Sequence, residues 1–191
     1  GSYEQLTHGG SVSKRWPFVD WSPDGQTIAF IGDEDGDSQV WAAPVDGGEP
    51  MLLASMESDI AEVSYSPDGS QLSLSVDNID TGWDVMLMPA EGGAIVPLVT
   101  TQLNEFALHW SPDGSQYVFM RVDESWDDIG VWKGSMGEDK PVRLTQGSDP
   151  DWSPDGQSIS FLRNVGTSSQ LLIMPADGGI ATVLVEEGIN R

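Results

Sequence analysis

The densest group of residues able to do chemistry is Asp33-Glu34-Asp35-Gly36-Asp37, four carboxylates around one glycine. Hard oxygens presented from a turn are the donors that Ca2+ takes, so Asp33, Asp35 and Asp37 are candidate calcium ligands. The bidentate Glu that closes an EF-hand loop is missing, and an acidic hairpin that simply turns is the competing reading. Looser acidic groups follow at Asp77, Asp80 and Asp84, and again at Asp123, Glu124, Asp127 and Asp128. Three tryptophans, Trp16, Trp83 and Trp126, are candidate ligand-binding residues, because an exposed aromatic anchors a peptide or stacks on a sugar. Structural packing is the alternative for each. The two histidines, His8 and His109, are far apart in the chain, and His109 sits beside Trp110 in a strand-like run. With no cysteine there is neither a disulfide framework nor a thiolate metal site.

Charge narrows the partners. Eight Lys and Arg stand against 31 Asp and Glu, a formal net charge of −23. Binding to a nucleic-acid backbone needs clustered cations, so nucleic acid is not an expected partner. A solvated acidic surface, a basic partner, bound metal ions or a salt-rich environment all fit. No apolar run approaches the ~18 residues of a membrane span, and no signal peptide is legible. A periplasmic or secreted location is favoured over a cytoplasmic one. Gly1-Ser2 has the look of a cloning scar, which implies a chain cut from something longer.

These residues hang on a repeat. Trp-Ser-Pro-Asp-Gly stands at 21–25, returns with Tyr in first place at 65–69, and recurs at 110–114 and 152–156. Pro presets φ for a turn, Asp bonds its own backbone and Gly takes a left-handed position. Asp24, Gly25, Asp68, Gly69, Asp113, Gly114, Asp155 and Gly156 are therefore structural turn residues. In the first repeat the turn lies between strand-like Pro17–Trp21 and Gln26–Ile31. A polar reversal at 32–37, a third strand at 38–43, a turn at Gly47-Gly48 and a fourth strand at 49–54 complete it. Four short antiparallel strands in a unit of this length make one propeller blade. Blades are expected at about 16–54, 60–99, 106–145 and 149–185, within a single domain over 1–191, with an extra strand at 3–7. In the third repeat 134–139 lacks the Gly-Gly pair. No stretch carries a sustained helical period, so the expected fold class is all-β, a β-propeller of four-stranded antiparallel blades. The aromatics closing the first strands, Trp21, Tyr65, Trp110 and Trp152, are expected to pack between blades.

The repeated Ser-Pro-Asp-Gly, followed in most blades by a Gln-containing strand, resembles the WD40-like PD40 repeat of TolB-type β-propellers. So does Met-Pro-Ala-(Asp/Glu)-Gly-Gly at 88–93 and 174–179. Gln39-Val40-Trp41 and Val45-Asp46-Gly47-Gly48-Glu49-Pro50 are also similar to the N-terminal propellers of prolyl-oligopeptidase-type serine peptidases. Those enzymes carry a Gly-x-Ser-x-Gly nucleophile elbow in a separate hydrolase domain. No such pentapeptide occurs here. The resemblance thus implies a scaffold without a catalytic centre.

The expected function is a non-catalytic propeller that binds protein or peptide, either a segment of a larger peptidase-type protein or a self-assembling half-propeller. The alternative is a calcium-dependent propeller that binds a small ligand or carbohydrate. Closure is open to three arrangements: a four-bladed ring, part of a larger ring, or a homodimer completing an eight-bladed ring. The loop-rich end of the blades is the expected binding face, because its loops differ most between repeats.

Overall fold

The structure, a computed structural model, describes residues 12–13, 18–34, 36–138 and 140–185. The strand expected at 3–7, Trp16 and Asp35 lie outside the described residues. Every regular element among those described is a β-strand, and together they form four antiparallel four-stranded sheets. Blade 1 is β1 (Val19–Trp21), β2 (Thr27–Glu34), β3 (Asp37–Pro44) and β4 (Met51–Met56). Blade 2 is β5 (Ile60–Tyr65), β6 (Gln71–Asn78), β7 (Gly82–Pro89) and β8 (Val96–Val99). Blade 3 is β9 (Asn104–Trp110), β10 (Gln116–Val122), β11 (Ile129–Ser135) and β12 (Val142–Gln146). Blade 4 is β13 (Ser148–Trp152), β14 (Ser158–Val165), β15 (Ser168–Pro175) and β16 (Thr182–Val185). Strand order within each sheet follows the chain, so each blade is a meander.

The chain forms two compact units, residues 1–102 with blades 1 and 2, and residues 103–191 with blades 3 and 4. In the first, Ala29, Ile31, Val40 and Ala42 of blade 1 pack against Val63, Tyr65, Leu72 and Leu74 of blade 2. In the second, Val118 and Val131 of blade 3 pack against Trp152, Ile159, Phe161 and Leu172 of blade 4. Burying one Ile, Leu or Phe side chain is worth about 1.5–3 kcal/mol. The face-to-face core of each pair therefore outweighs any single turn.

One turn is built four times over. Gly25 N–H donates to the Ser22 carbonyl at 2.8 Å. The Ser22 hydroxyl donates to Asp24 Oδ1 at 2.7 Å and accepts from Thr27 N–H at 2.9 Å. Asp24 Oδ1 also accepts from Gln26 N–H at 3.0 Å. The same bonds recur around Ser66 and Asp68, Ser111 and Asp113, and Ser153 and Asp155. The closing glycines, Gly25, Gly69, Gly114 and Gly156, have φ of 69°, 72°, 70° and 68°, which an L side chain takes only with strain. Each turn aspartate is thus committed to its own backbone, as its sequence implies.

Blade 3 departs from the pattern in two instructive ways. Its third strand runs on through Gly134, which opposes Tyr117. A Cβ at Gly134 would lie 2.3 Å from the Tyr117 ring, so the tyrosine fills the space that a side chain there would need. Glu105, in the first strand of the blade, is fully buried. The strand β9 begins at Asn104, and its register sets Glu105 opposite Arg121. Arg121 Nε donates to Glu105 Oε1 at 2.8 Å, and its guanidinium lies 4.1 Å from the Trp132 ring centre. A carboxylate out of water is tolerable because a cation meets it directly.

Two expectations follow. Glu105→Ala leaves the Arg121 charge without its partner, and breaking a buried pair costs about 3–5 kcal/mol. Chemical denaturation should show a midpoint shift of that size, and a loss under about 1 kcal/mol would refute a structural role for the pair. The second concerns acid. Hydrogen bonds from the Ser66 hydroxyl and from Ser70 hold Asp68 down at about 2, and those from the Ser115 amide and the Ser111 and Ser115 hydroxyls hold Asp113 at about 2, against an ordinary 3.8. The folded state therefore binds fewer protons, and the turns stabilise fully above the ordinary value and lose that contribution as pH falls through about 2. The double variant Asp68→Asn, Asp113→Asn should show a flatter dependence of Tm on pH over this window.

Candidate binding cleft of the second unit

The loop between β10 and β11 is the most elaborately built irregular segment among the described residues. Asp123 organises it. Its Oδ1 accepts from the amides of Asp127 and Asp128 at 2.9 and 3.1 Å, and its Oδ2 accepts from the Ser125 hydroxyl at 2.8 Å. Its carbonyl accepts from Trp126 N–H at 3.1 Å. The Ser125 hydroxyl and the backbone amides hold its carboxyl below the ordinary carboxylate range. Asp128 is likewise held low by the bidentate grip of Arg143, whose two terminal nitrogens reach it at 2.9 and 2.5 Å. What looked in the sequence like loose carboxylates is a hydrogen-bonded frame.

The frame presents Trp126. Its φ is +61°, in the left-handed region, where a bulky side chain costs of order 1–3 kcal/mol. The indole is exposed on one side and rests on Phe106 on the other, with ring centres 5.8 Å apart. Phe106 is aimed by a bulge in β9, where Ala107 takes φ of +52°. The matching bulge of β13 puts Asp149 at φ +51° and turns Ser148 to the same end of blade 4. Bulges re-aim side chains in this way beside functional surfaces.

Between these parts lies a cleft of about 170 Å³ bordered by Trp126, Asp127, Gln146, Ser148, Arg163 and Asn164. Arg163 Nη2 donates to Thr145 Oγ1 at 2.8 Å, its Nε donates to the Gln146 carbonyl at 3.3 Å, and its guanidinium overlies Phe161 at 5.5 Å. The cation is therefore held in place before any partner arrives. Gly147 forms the back of the cleft, and a Cβ there would stand 2.6 Å from both the Leu162 carbonyl and the Phe161 ring. Typical small-molecule sites occupy about 300–1,000 Å³. The cleft is smaller than that and matches a single side chain.

The first unit offers a different space. A cleft of about 510 Å³ opens at the Ser-Pro-Asp-Gly end, between the turns of blades 1 and 2, with Asp24, Asp68, Glu91, Met51 and Tyr65 on its walls. Asp24 and Asp68 are tied into their turns, so they give that cleft charge but few free acceptors.

The other sequence candidates fall as follows. Asp33 opposes Ser38 and Asp37 opposes Glu34, which sets Asp33 and Asp37 on opposite faces of the β2–β3 ribbon. Gly36 closes it with φ of +97°. Among the described residues no three of His, Asp and Glu are grouped as a metal ion would need. Trp83 lies in β7 opposite Asp77, half-buried. Asp84 is buried, and its Oδ2 accepts from Asn78 and from the Thr81 hydroxyl at 3.1 and 2.6 Å. Arg163 and Phe106 were missed by sequence reasoning. The signal available was the scarcity of cations, which makes each one worth placing.

No family model matches the sequence. Over 80 residues, 39% of this chain and 12% of the relative's length, the sequence is 39% identical to an uncharacterized peptidase of Bacillus subtilis. Among solved structures, TolB from Acinetobacter baumannii is similar over 89% of this chain and 43% of its own, with 20% identity and a TM-score of 0.75. A putative TolB from Agrobacterium tumefaciens matches 88% of this chain and 61% of its own, with 20% identity and a TM-score of 0.73. The chain thus spans less than two thirds of each. Four meandering blades closed by the same Ser-Pro-Asp-Gly turn, and a backbone that follows TolB over most of its length, make this chain an all-β propeller of the TolB fold type.

Proposed function

We propose that this chain is a non-catalytic propeller segment that binds protein or peptide, with the Trp126–Arg163 cleft as its anchoring site. The observation that carries the proposal is the size and make-up of that cleft. A space of about 170 Å³ accepts one side chain, and the residues at its mouth are a preset tryptophan and a preset arginine. Those residue types dominate the binding energy of protein interfaces, because each presents a large rigid surface at low entropic cost. The strain in Trp126 supports the same reading, since backbone strain at a bulky residue persists only where its surroundings enforce it. The likeness to a peptidase favours a parent protein in which the propeller handles a polypeptide. The absence of a Gly-x-Ser-x-Gly elbow from the sequence favours a binding role for this segment.

Arg163 gives the expected ligand a character. In a chain of net charge −23 it sets one fixed positive group beside an aromatic ring. Such a pair suits a peptide that carries a carboxylate or a backbone carbonyl next to an apolar side chain.

Selection of a random twelve-residue peptide library on the purified chain tests this. Enriched peptides should lose affinity by about 30-fold, the scale of a hot-spot truncation, in Trp126→Ala and in Arg163→Ala. Failure to enrich any peptide, or binding by both variants unchanged from that of the parent chain, would sink the assignment.

A further inference from the structure

In each unit the second blade has a face that stacks on the first, made by the aromatic closing its first strand and alternate residues of its next two. In blade 2 this face is Tyr65, Leu72 and Leu74, buried on Ala29, Ile31, Val40 and Ala42 of blade 1. In blade 4 it is Trp152, Ile159, Phe161 and Leu172, buried on Val118 and Val131 of blade 3. In blade 1 the register gathers the same positions, with Trp21 opposite Ile28, Val19 opposite Phe30, Phe30 opposite Trp41 and Trp41 opposite Leu52. This face is uncovered at its rim. Trp21, Val19 and Leu52 are 56%, 57% and 45% exposed, whereas Tyr65 and Trp152 are each 8% exposed. Tyr65 and Trp152 pack between blades as expected, whereas Trp21 does not. Three large apolar residues exposed on one sheet face form a contiguous patch of the kind that marks an interface.

The internal joints show what chemistry covers such a face: a flat aliphatic surface from strands two and three of another blade. Blade 4 carries one. Ser160, Leu162, Leu171 and Ile173 occupy the places that Ala29, Ile31, Val40 and Ala42 hold in blade 1, with Leu162 opposite Leu171 and Ser160 opposite Ile173. They are only half-buried, whereas their counterparts in blade 1 are buried. The chain therefore presents both halves of a joint that it already makes twice inside itself.

We propose that the Val19–Trp21–Leu52 face of blade 1 docks on the strand-two and strand-three face of blade 4 of a second copy of this chain. Such a joint is heterologous, and two of them between two copies use up both faces and end the assembly. Eight blades in all then come together, within the range at which propellers close. Charge points to recognition by shape. Asp20, between Val19 and Trp21, turns the other way and accepts from the Ser64 hydroxyl and the Tyr65 amide at 3.0 and 2.7 Å. No Lys or Arg occurs between residues 18 and 102. Two copies of net charge −23 repel, so added salt should strengthen this association, whereas it weakens one driven by a basic partner. Leu162 borders both this face and the peptide cleft, whereas Trp21 and Leu171 do not line the cleft, so the test rests on those two.

Sedimentation of the purified 191-residue chain across concentration and salt provides the test. The expected result is a dimer of twice 20.6 kDa that tightens as NaCl rises. Trp21→Glu and Leu171→Glu should each weaken it by about 30-fold or more while keeping the native circular dichroism. Each variant keeps one sound face, so mixing the two should restore a mixed dimer through one joint, a result that a symmetric or non-specific contact does not give. If Trp21→Glu fails to fold, Val19→Glu takes its place. A monomer at every concentration and salt, or a dimer indifferent to both substitutions, overturns the proposal.

Discussion

A four-stranded antiparallel sheet of short strands has two faces and cannot bury either by itself. Everything else in this protein follows from that constraint. Ala29, Ile31 and Val40 leave water only because Tyr65, Leu72 and Leu74 close over them, and Val118 and Val131 only because Trp152 and Phe161 do. The Ser-Pro-Asp-Gly turns serve the same end. By fixing the hairpin between the first two strands through the same set of hydrogen bonds, they hold the closing aromatics of blades 2 and 4 where the preceding sheet meets them.

With stacking committed to the sheet faces, variation is left to the ends. The Ser-Pro-Asp-Gly end is repetitive because its geometry is prescribed, and its aspartates are held low in pKa by their own turns. The other end is free to differ, and in blade 3 it does. There a buried Glu105–Arg121 pair, an Arg143–Asp128 pair and the Asp123 frame replace the simple hairpin of blade 1. Five cations fall between residues 103 and 185, and three of them, Arg121, Arg143 and Arg163, are arginines laid over aromatic rings or against carboxylates. Local charge compensation, not net charge, shapes this end.

Much of the fold was legible from residue order. The recurrence of Ser-Pro-Asp-Gly set the blades, and the four strands of blade 1 lie within three residues of their expected limits. β2 runs three residues past its expected end, to Glu34, because cross-strand pairing continues through polar residues that carry no hydrophobic signal. The site was legible in part. Trp126 stood out as an aromatic off the repeat, but Phe106 beneath it and Arg163 beside it belong to other strands.

The sequence alone determined the blade type, the turn chemistry and the acid balance, because each is written in adjacent residues at a fixed period. Tertiary structure decided which aromatics are buried, since burial depends on a second sheet that no local pattern names. It put Tyr65 and Trp152 under cover and left Trp21 in water, though all three follow the same motif. It also withdrew Glu105 from the surface, because the strand register, not the residue type, sets a carboxylate opposite an arginine.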